Sequence, residues 1–139
     1  MVLARRERRS DEVALEPLLD LAVFLAMQRA IEEVHVSEAI VDYAVRIVGA
    51  TRAHPSVQVG ASPRGSLALF KLARCQAAIA GRDFVTPEDV KAIAAPALAH
   101  RLVLEPRAWV ARVAPESVVA EVLGDVPTPA AADAAPARE

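Results

Sequence analysis

Glycine is scarce in this sequence: five residues among 139, at positions 49, 60, 65, 81 and 124. That spacing cannot make the G-x-x-x-x-G-K-[ST] loop that cradles phosphates in P-loop enzymes, so this chain alone does not hold a nucleoside triphosphate in that way. Cysteine is scarcer still. Cys75 stands alone, which excludes an internal disulfide and fits a reducing compartment, and its place in an apolar helical run suits a small buried hydrophobe. His35, His54 and His100 are scattered without metal-ligand spacing, so no metal site is expected. Ser62 and Ser66 have no base at readable spacing, which leaves a nucleophilic hydrolase without support. Behind Met1 there is neither the sustained apolar core nor the cleavage site of a signal peptide, and no apolar run is long enough to span a bilayer. A cytoplasmic protein with no membrane partner is expected. Aromatic residues make up only 4% of the chain, and its net charge of −2 with a pI near 5.9 gives no global field towards nucleic acid or anionic lipid.

What is present is apolar and helical in character. Apolar residues reach 54%, largely Ala, Val and Leu, and the length suits one compact domain with tails. The opening residues carry Arg5, Arg6, Arg8 and Arg9 among good helix formers. They are too few to nucleate a helix alone, and Glu7, Asp11 and Glu12 dilute the charge, so a solvated or partner-facing helix end is preferred to a nucleic-acid patch.

Asp20 is placed to cap a helix from Leu21 to Glu33. Leu21, Phe24, Leu25, Gln28 and Ile31 recur in it with the helical period, and Val23, Met27, Ala30 and Val34 form a second stripe, so much of this helix is expected to be buried, with Phe24 and Met27 in the core. Ser37 and Glu38 start a second helix running to about Ala53, with Ile40, Tyr43, Ala44, Ile47 and Val48 on its inner face. His54-Pro55 ends it, Val57-Gln58-Val59 reads as a short strand, and Gly60 is expected to turn the chain through φ > 0.

The next helix opens with Gly60-Ala61-Ser62-Pro63-Arg64 and continues to Ala80. Ser62 suits the N-cap, with its hydroxyl accepting an unpaired N–H, and Pro63 suits the first helical position. Apolar residues lie all round this helix, which predicts the most buried element of the domain, closed by Gly81. Arg82 to Val85 is a brief extended link. Thr86-Pro87-Glu88-Asp89 then starts another helix with two acids at its positive end, and Pro96 is expected to end or kink it. Arg101 to Leu104 reads as a strand able to pair with residues 57–59 or 84–85. Pro115-Glu116 opens a short helix to about Leu123, Pro127 to Glu139 is Pro/Ala-rich and expected to be disordered, and Trp109 is assigned as an anchor for this tail.

Arg64 breaks a rule that Glu88 and Asp89 obey. A cation in a helix's first turn is unfavourable by roughly a few tenths of a kcal/mol, whereas an anion there is favourable. Stability alone would not select arginine. If a phosphate or carboxylate docks at this end, the free N–H groups and the guanidinium can both address it. The plain alternative is an ordinary exposed arginine that follows a cap.

Gly60-Ala61-Ser62-Pro63-Arg64, preceded by Thr51-Arg52-Ala53-His54-Pro55 and followed by Gly81 to Lys91 and Ala99-His100-Arg101-Leu102, closely resembles the C-terminal helical lid of MoxR-type AAA+ ATPases. The resemblance covers roughly Leu15 to Leu104 and is weaker from Pro115 to Leu123. It implies a mainly α fold, a four-helix lid-type bundle with minor short strands and a partly disordered C-terminal tail. The implied division is the end of a connecting helix or linker at 1–14, the lid at 15–104, a tail with a short helix at 105–126 and a disordered tail at 127–139.

It further implies that Arg64 is the sensor 2 residue, reaching the γ-phosphate of ATP bound on a neighbouring core subdomain, with Gly60, Ala61, Ser62 and Pro63 forming the rest of the nucleotide-facing motif. That core, with its phosphate loop, is absent from this sequence. ATP and Mg are therefore expected in the complete parent, with none held by this chain alone, and the chain alone is expected to be inactive. The implied partners are the AAA+ core subdomain or ring neighbours and a protein client, in chaperone-like remodelling. The rival is a stand-alone helical adaptor or nucleic-acid-binding module built on the same helices, which the acidic pI and the lack of aromatic platforms disfavour.

Overall fold

A computed structural model of the chain describes residues 16–130. Arg5, Arg6, Arg8 and Arg9, and the tail beyond residue 130, lie outside the described residues. The described chain is mainly α: α1 (Leu21–Glu33), α2 (Glu38–Ala53), β1 (Val57–Val59), α3 (Pro63–Ile79), α4 (Pro87–Leu98), a 3₁₀ turn (Ala99–Arg101), β2 (Val103–Leu104), α5 (Pro106–Val110) and α6 (Pro115–Asp125). There are thus six described α-helices rather than four. The unexpected one is α5, whose five residues are too short to leave a periodic signal.

Local chemistry sets most of the ends. The Asp20 carboxylate accepts the Val23 N–H at 2.7 Å, and the Ser37 hydroxyl accepts that of Ile40 at 3.4 Å. Gly81, at φ 71°, ends α3 as glycine does best, with the Gly81 and Arg82 N–H groups donating back to the carbonyls of Ala78 and Ala77 at 3.0 and 2.9 Å. Pro96 does not end α4. It lies on the solvent face, where its missing N–H costs least, while Ala94, Ala97 and Leu98 are packed on either side and carry the helix to Leu98. The backbone then tightens into the 3₁₀ turn, so Arg101 is not in a strand.

The core lies between α2, α3, α4 and α6. Ile40, Tyr43, Ile47 and Val48 of α2 meet Leu69 and Ala73 of α3, Val90, Ala94 and Leu98 of α4, and Val118, Val119 and Val122 of α6. Each fully buried Ile, Leu or Val contributes roughly 1.5–3 kcal/mol. α6 is therefore a core helix and no mere appendage. Trp109 does not fasten this part of the chain, being 71% exposed; Ala108 and the α6 valines take that part.

Two small β pairings bracket the bundle. β1 and β2 are antiparallel, with Val57 opposite Leu104 and Val59 opposite Val103. His35 and Phe84 form an isolated parallel bridge that ties the entry of α2 to the entry of α4.

Two burial expectations fail. Leu21, Phe24 and Met27 are 72%, 49% and 51% exposed, and α1 contains no buried residue. α3 buries only Gly65, Leu69, Ala73 and Ala77, leaving Ile79 83% exposed. Apolar periodicity states which faces favour burial, but not whether the covering surface is among the described residues. Among the described helices the most buried is α4, with half of its twelve residues inside. Cys75 is half-buried where α3 meets α1.

Candidate functional site

The start of α3 is held by the end of α2. Thr51 is fully buried in the last turn of α2, where its hydroxyl donates to the Val48 carbonyl at 2.7 Å and accepts the Ala61 N–H at 3.0 Å. The neighbouring Arg52 donates from Nε to the Ala61 carbonyl at 2.9 Å. Both polar groups of Ala61 are thus satisfied inside the chain, as a buried residue requires.

Gly60 does not adopt φ > 0; among described glycines only Gly81 does. Its need for glycine is contact. A Cβ at position 60 would lie 2.7 Å from Arg52 Cα and N, too close for any side chain. Gly65 serves similarly, since a Cβ there would come within 3.1 Å of Leu98 and 3.2 Å of Ala61.

From this anchored point the chain emerges into solvent. Ser62, Pro63 and Arg64 are all exposed. Ser62 occupies the N-cap in extended geometry, but its hydroxyl caps nothing: the Gly65 N–H is taken by the Ser62 carbonyl at 2.7 Å, a tight turn that Pro63 favours. No acid occupies the first turn of α3, and among the described residues Arg64 forms no ion pair.

Several other arginines are held by the fold. Arg46 pairs with Asp42 at 2.9 Å, and Arg101 donates to the Ala97 carbonyl at 2.9 Å. Arg107 is the nearest internal control, because it too follows a proline at a helix start. Its Nη2 reaches back to the Pro55 carbonyl at 2.9 Å, whereas Arg64 reaches no described group.

The start of α4 is built with the opposite charge. Asp89 is buried; its carboxylate accepts the Thr86 N–H at 2.8 Å, the Thr86 hydroxyl at 3.0 Å and the guanidinium of Arg82 in a two-point ion pair, one arm of which is 2.7 Å. Burial disfavours the charged Asp89. The hydrogen bonds from Arg82 and Thr86 outweigh that cost and hold its carboxyl below the usual carboxylate range. The Asp89 hydrogen bond pushes the Arg82 guanidinium up.

Sequence reasoning brought Gly60 to Arg64 to one place and missed what secures it. Thr51 and Arg52 stand in the flanking Thr51-Arg52-Ala53-His54-Pro55 motif, and a threonine on the inner face of α2 is the available signal. His54 in the same motif accepts the Ser56 N–H at Nδ1, 3.2 Å away, and its Nε2 meets Glu121 of α6 at 3.1 Å. No group of three or more metal-ligating side chains is gathered among the described residues. No described helix is long and apolar enough to cross a membrane.

The family model for the AAA lid domain matches residues 49–122. The protein YeaC of Bacillus subtilis is 39% identical over 128 residues, which are 92% of this chain and 40% of that protein. The chaperone MoxR1 of Mycobacterium tuberculosis is 38% identical over 121 residues, 81% of this chain and 32% of its own length. Among solved structures, a proposed ATPase from Cytophaga hutchinsonii superposes with a TM-score of 0.78 at 25% identity, over 93% of this chain and 42% of that one. The chain therefore spans well under half the length of each of these relatives.

Proposed function

From the premise that this chain belongs to the AAA lid domain family, as the lid portion of a MoxR-family AAA+ ATPase, we propose that Arg64 is its sensor 2 arginine and acts on ATP held by the rest of the complete protein. The observation that carries this reading is the free state of Arg64: exposed, unpaired among the described residues, and in the first turn of a 17-residue helix that has no acid there. A guanidinium presents planar N–H donors that match phosphate oxygens, and the positive end of a helix adds to the same field. The residues present thus fit a polyphosphate.

ATP with Mg, when bound, supplies the phosphoryl group whose transfer to water drives the cycle. The chain's own share is narrower. Arg64 binds and stabilises phosphate oxygens, and the exposed Ser62-Pro63 step lets the nucleotide side approach. Gly60 and Ala61 set where that step begins. Because α3 is packed through Gly65, Leu69 and Ala73 onto α2 and α4, a pull on Arg64 is transmitted to the lid as a body. The complete protein is read as a ring-forming remodeller, with the core subdomain and ring neighbours as its contacts and a protein client as the object of its work.

The test is Arg64→Ala in the complete protein. Turnover is expected to fall about 100-fold, the scale of one lost transition-state donor, with nucleotide affinity reduced only a few-fold. Unchanged turnover would remove this role.

A further inference from the structure

The backbone N–H and carbonyl of Ala61 are held by two successive residues of α2. We propose that Thr51 and Arg52 are positioning residues for Arg64: by holding the N–H and the carbonyl of Ala61, they set the place and direction from which the first turn of α3 presents its arginine. The inference rests on the reading of Arg64 given above.

Three observations converge on it. Thr51 is fully buried, and its hydroxyl is used twice, donating to Val48 at 2.7 Å and accepting from Ala61 at 3.0 Å. A valine of the same shape would pack as well but would orphan the Ala61 N–H, so the hydroxyl has a task beyond filling space. Arg52 is an exposed residue whose Nε, rather than its outer nitrogens, makes the bond to Ala61. Lysine has no donor at that point in its side chain.

Gly60 completes the grip, since its Cα lies directly against the Arg52 backbone and leaves no room for a Cβ. Ser62 contributes no side-chain cap bond and Pro63 no N–H, so beside the Ser62–Gly65 turn it is this hold, ten residues back along the chain, that ties the α3 start to α2. A phosphate-binding group displaced by about 1 Å can lose on the order of 100-fold in rate. A device that fixes the Arg64 backbone is therefore worth more to turnover than to folding.

The experiment uses the complete protein with Thr51→Val, Thr51→Ser, Arg52→Ala and Arg52→Lys, each made with Arg64 intact and with Arg64→Ala. Thr51→Val and either Arg52 variant are expected to lower kcat about tenfold with KM for ATP within about twofold, and Thr51→Ser to restore it. In the Arg64→Ala background the same changes should cost nothing further. Hydrogen exchange without nucleotide gives a second readout: the Ala61 amide should exchange at least about tenfold faster in Thr51→Val and stay protected in Thr51→Ser.

Equal losses in both backgrounds would overturn the positioning role while leaving Arg64 in place. Faster exchange with unaltered turnover would overturn it as well. Full turnover in Arg64→Ala alone would overturn the underlying reading and this inference with it. Should Thr51→Val not fold, the exposed Arg52 substitutions carry the same comparison.

Discussion

α3 and α4 both open with a serine or threonine in extended geometry followed by proline, yet the charges behind the proline differ in sign and in fate. At α4, Asp89 suits the positive helix end and is drawn inside, where Arg82 and Thr86 satisfy it. At α3, Arg64 opposes the helix end and stands in solvent, with no described partner. A charge that agrees with the local field can be absorbed by the fold. One that disagrees gains nothing from the helix end, and Arg107 shows that an arginine after a proline can instead be held by a nearby carbonyl.

The strongest way to break this contrast is at the α4 side. Asp89→Ala would strand a partly buried guanidinium and the Thr86 N–H, and unfolding in denaturant should show a loss of about 3 kcal/mol. If Arg64→Ala cost the lid as much, the two helix starts would be alike and the distinction would fall.

Acid should act on the same residue. The folded Asp89 carboxyl lies below its ordinary value of about 3.9, so its contribution is complete above that pH and is lost as pH falls through the lower, folded value. Asp89→Asn should remove that part of the acid dependence, read as a flatter stability curve below about pH 4. The caps sharpen the comparison further. Thr86→Ala, which deletes a hydroxyl that donates to Asp89, should cost about 1 kcal/mol, whereas Ser62→Ala should fall within about 0.3 kcal/mol because the Ser62 hydroxyl makes no cap bond.

Much of this arrangement was legible in the residues, and the rest was not for identifiable reasons. Caps, prolines and Gly81 are local signals, so α1, α2, α3 and α4 begin close to where those signals stand, and all but α4, which runs through Pro96, end there too. The Val103–Leu104 strand pairs with Val57–Val59, one of the two partners open to it. Burial was less readable because it depends on distant surfaces: α1 repeats its apolar residues faithfully, yet leaves Leu21 and Phe24 exposed.

At the site, Arg64 announced itself by breaking the dipole rule, and Asp89 looked like simple obedience to it. The Arg82–Asp89 pair and the Thr51–Ala61 clamp, seven and ten residues apart, cross element boundaries and carry no period to detect. Gly60 is special for a cause its neighbours do not show. Its sequence neighbours suggested a turn, whereas its actual constraint is the Arg52 backbone against it.

The most direct measurement on the claim that Arg64 serves a ligand and not the lid's own fold is the unfolding free energy of Arg64→Glu in the 139-residue chain, without nucleotide. Placing an anion in the first turn of α3 should raise stability by a few tenths to about 1 kcal/mol, because it restores the charge that the helix end favours. A loss of about 1 kcal/mol would mean that Arg64 was holding the lid together and would contradict the account.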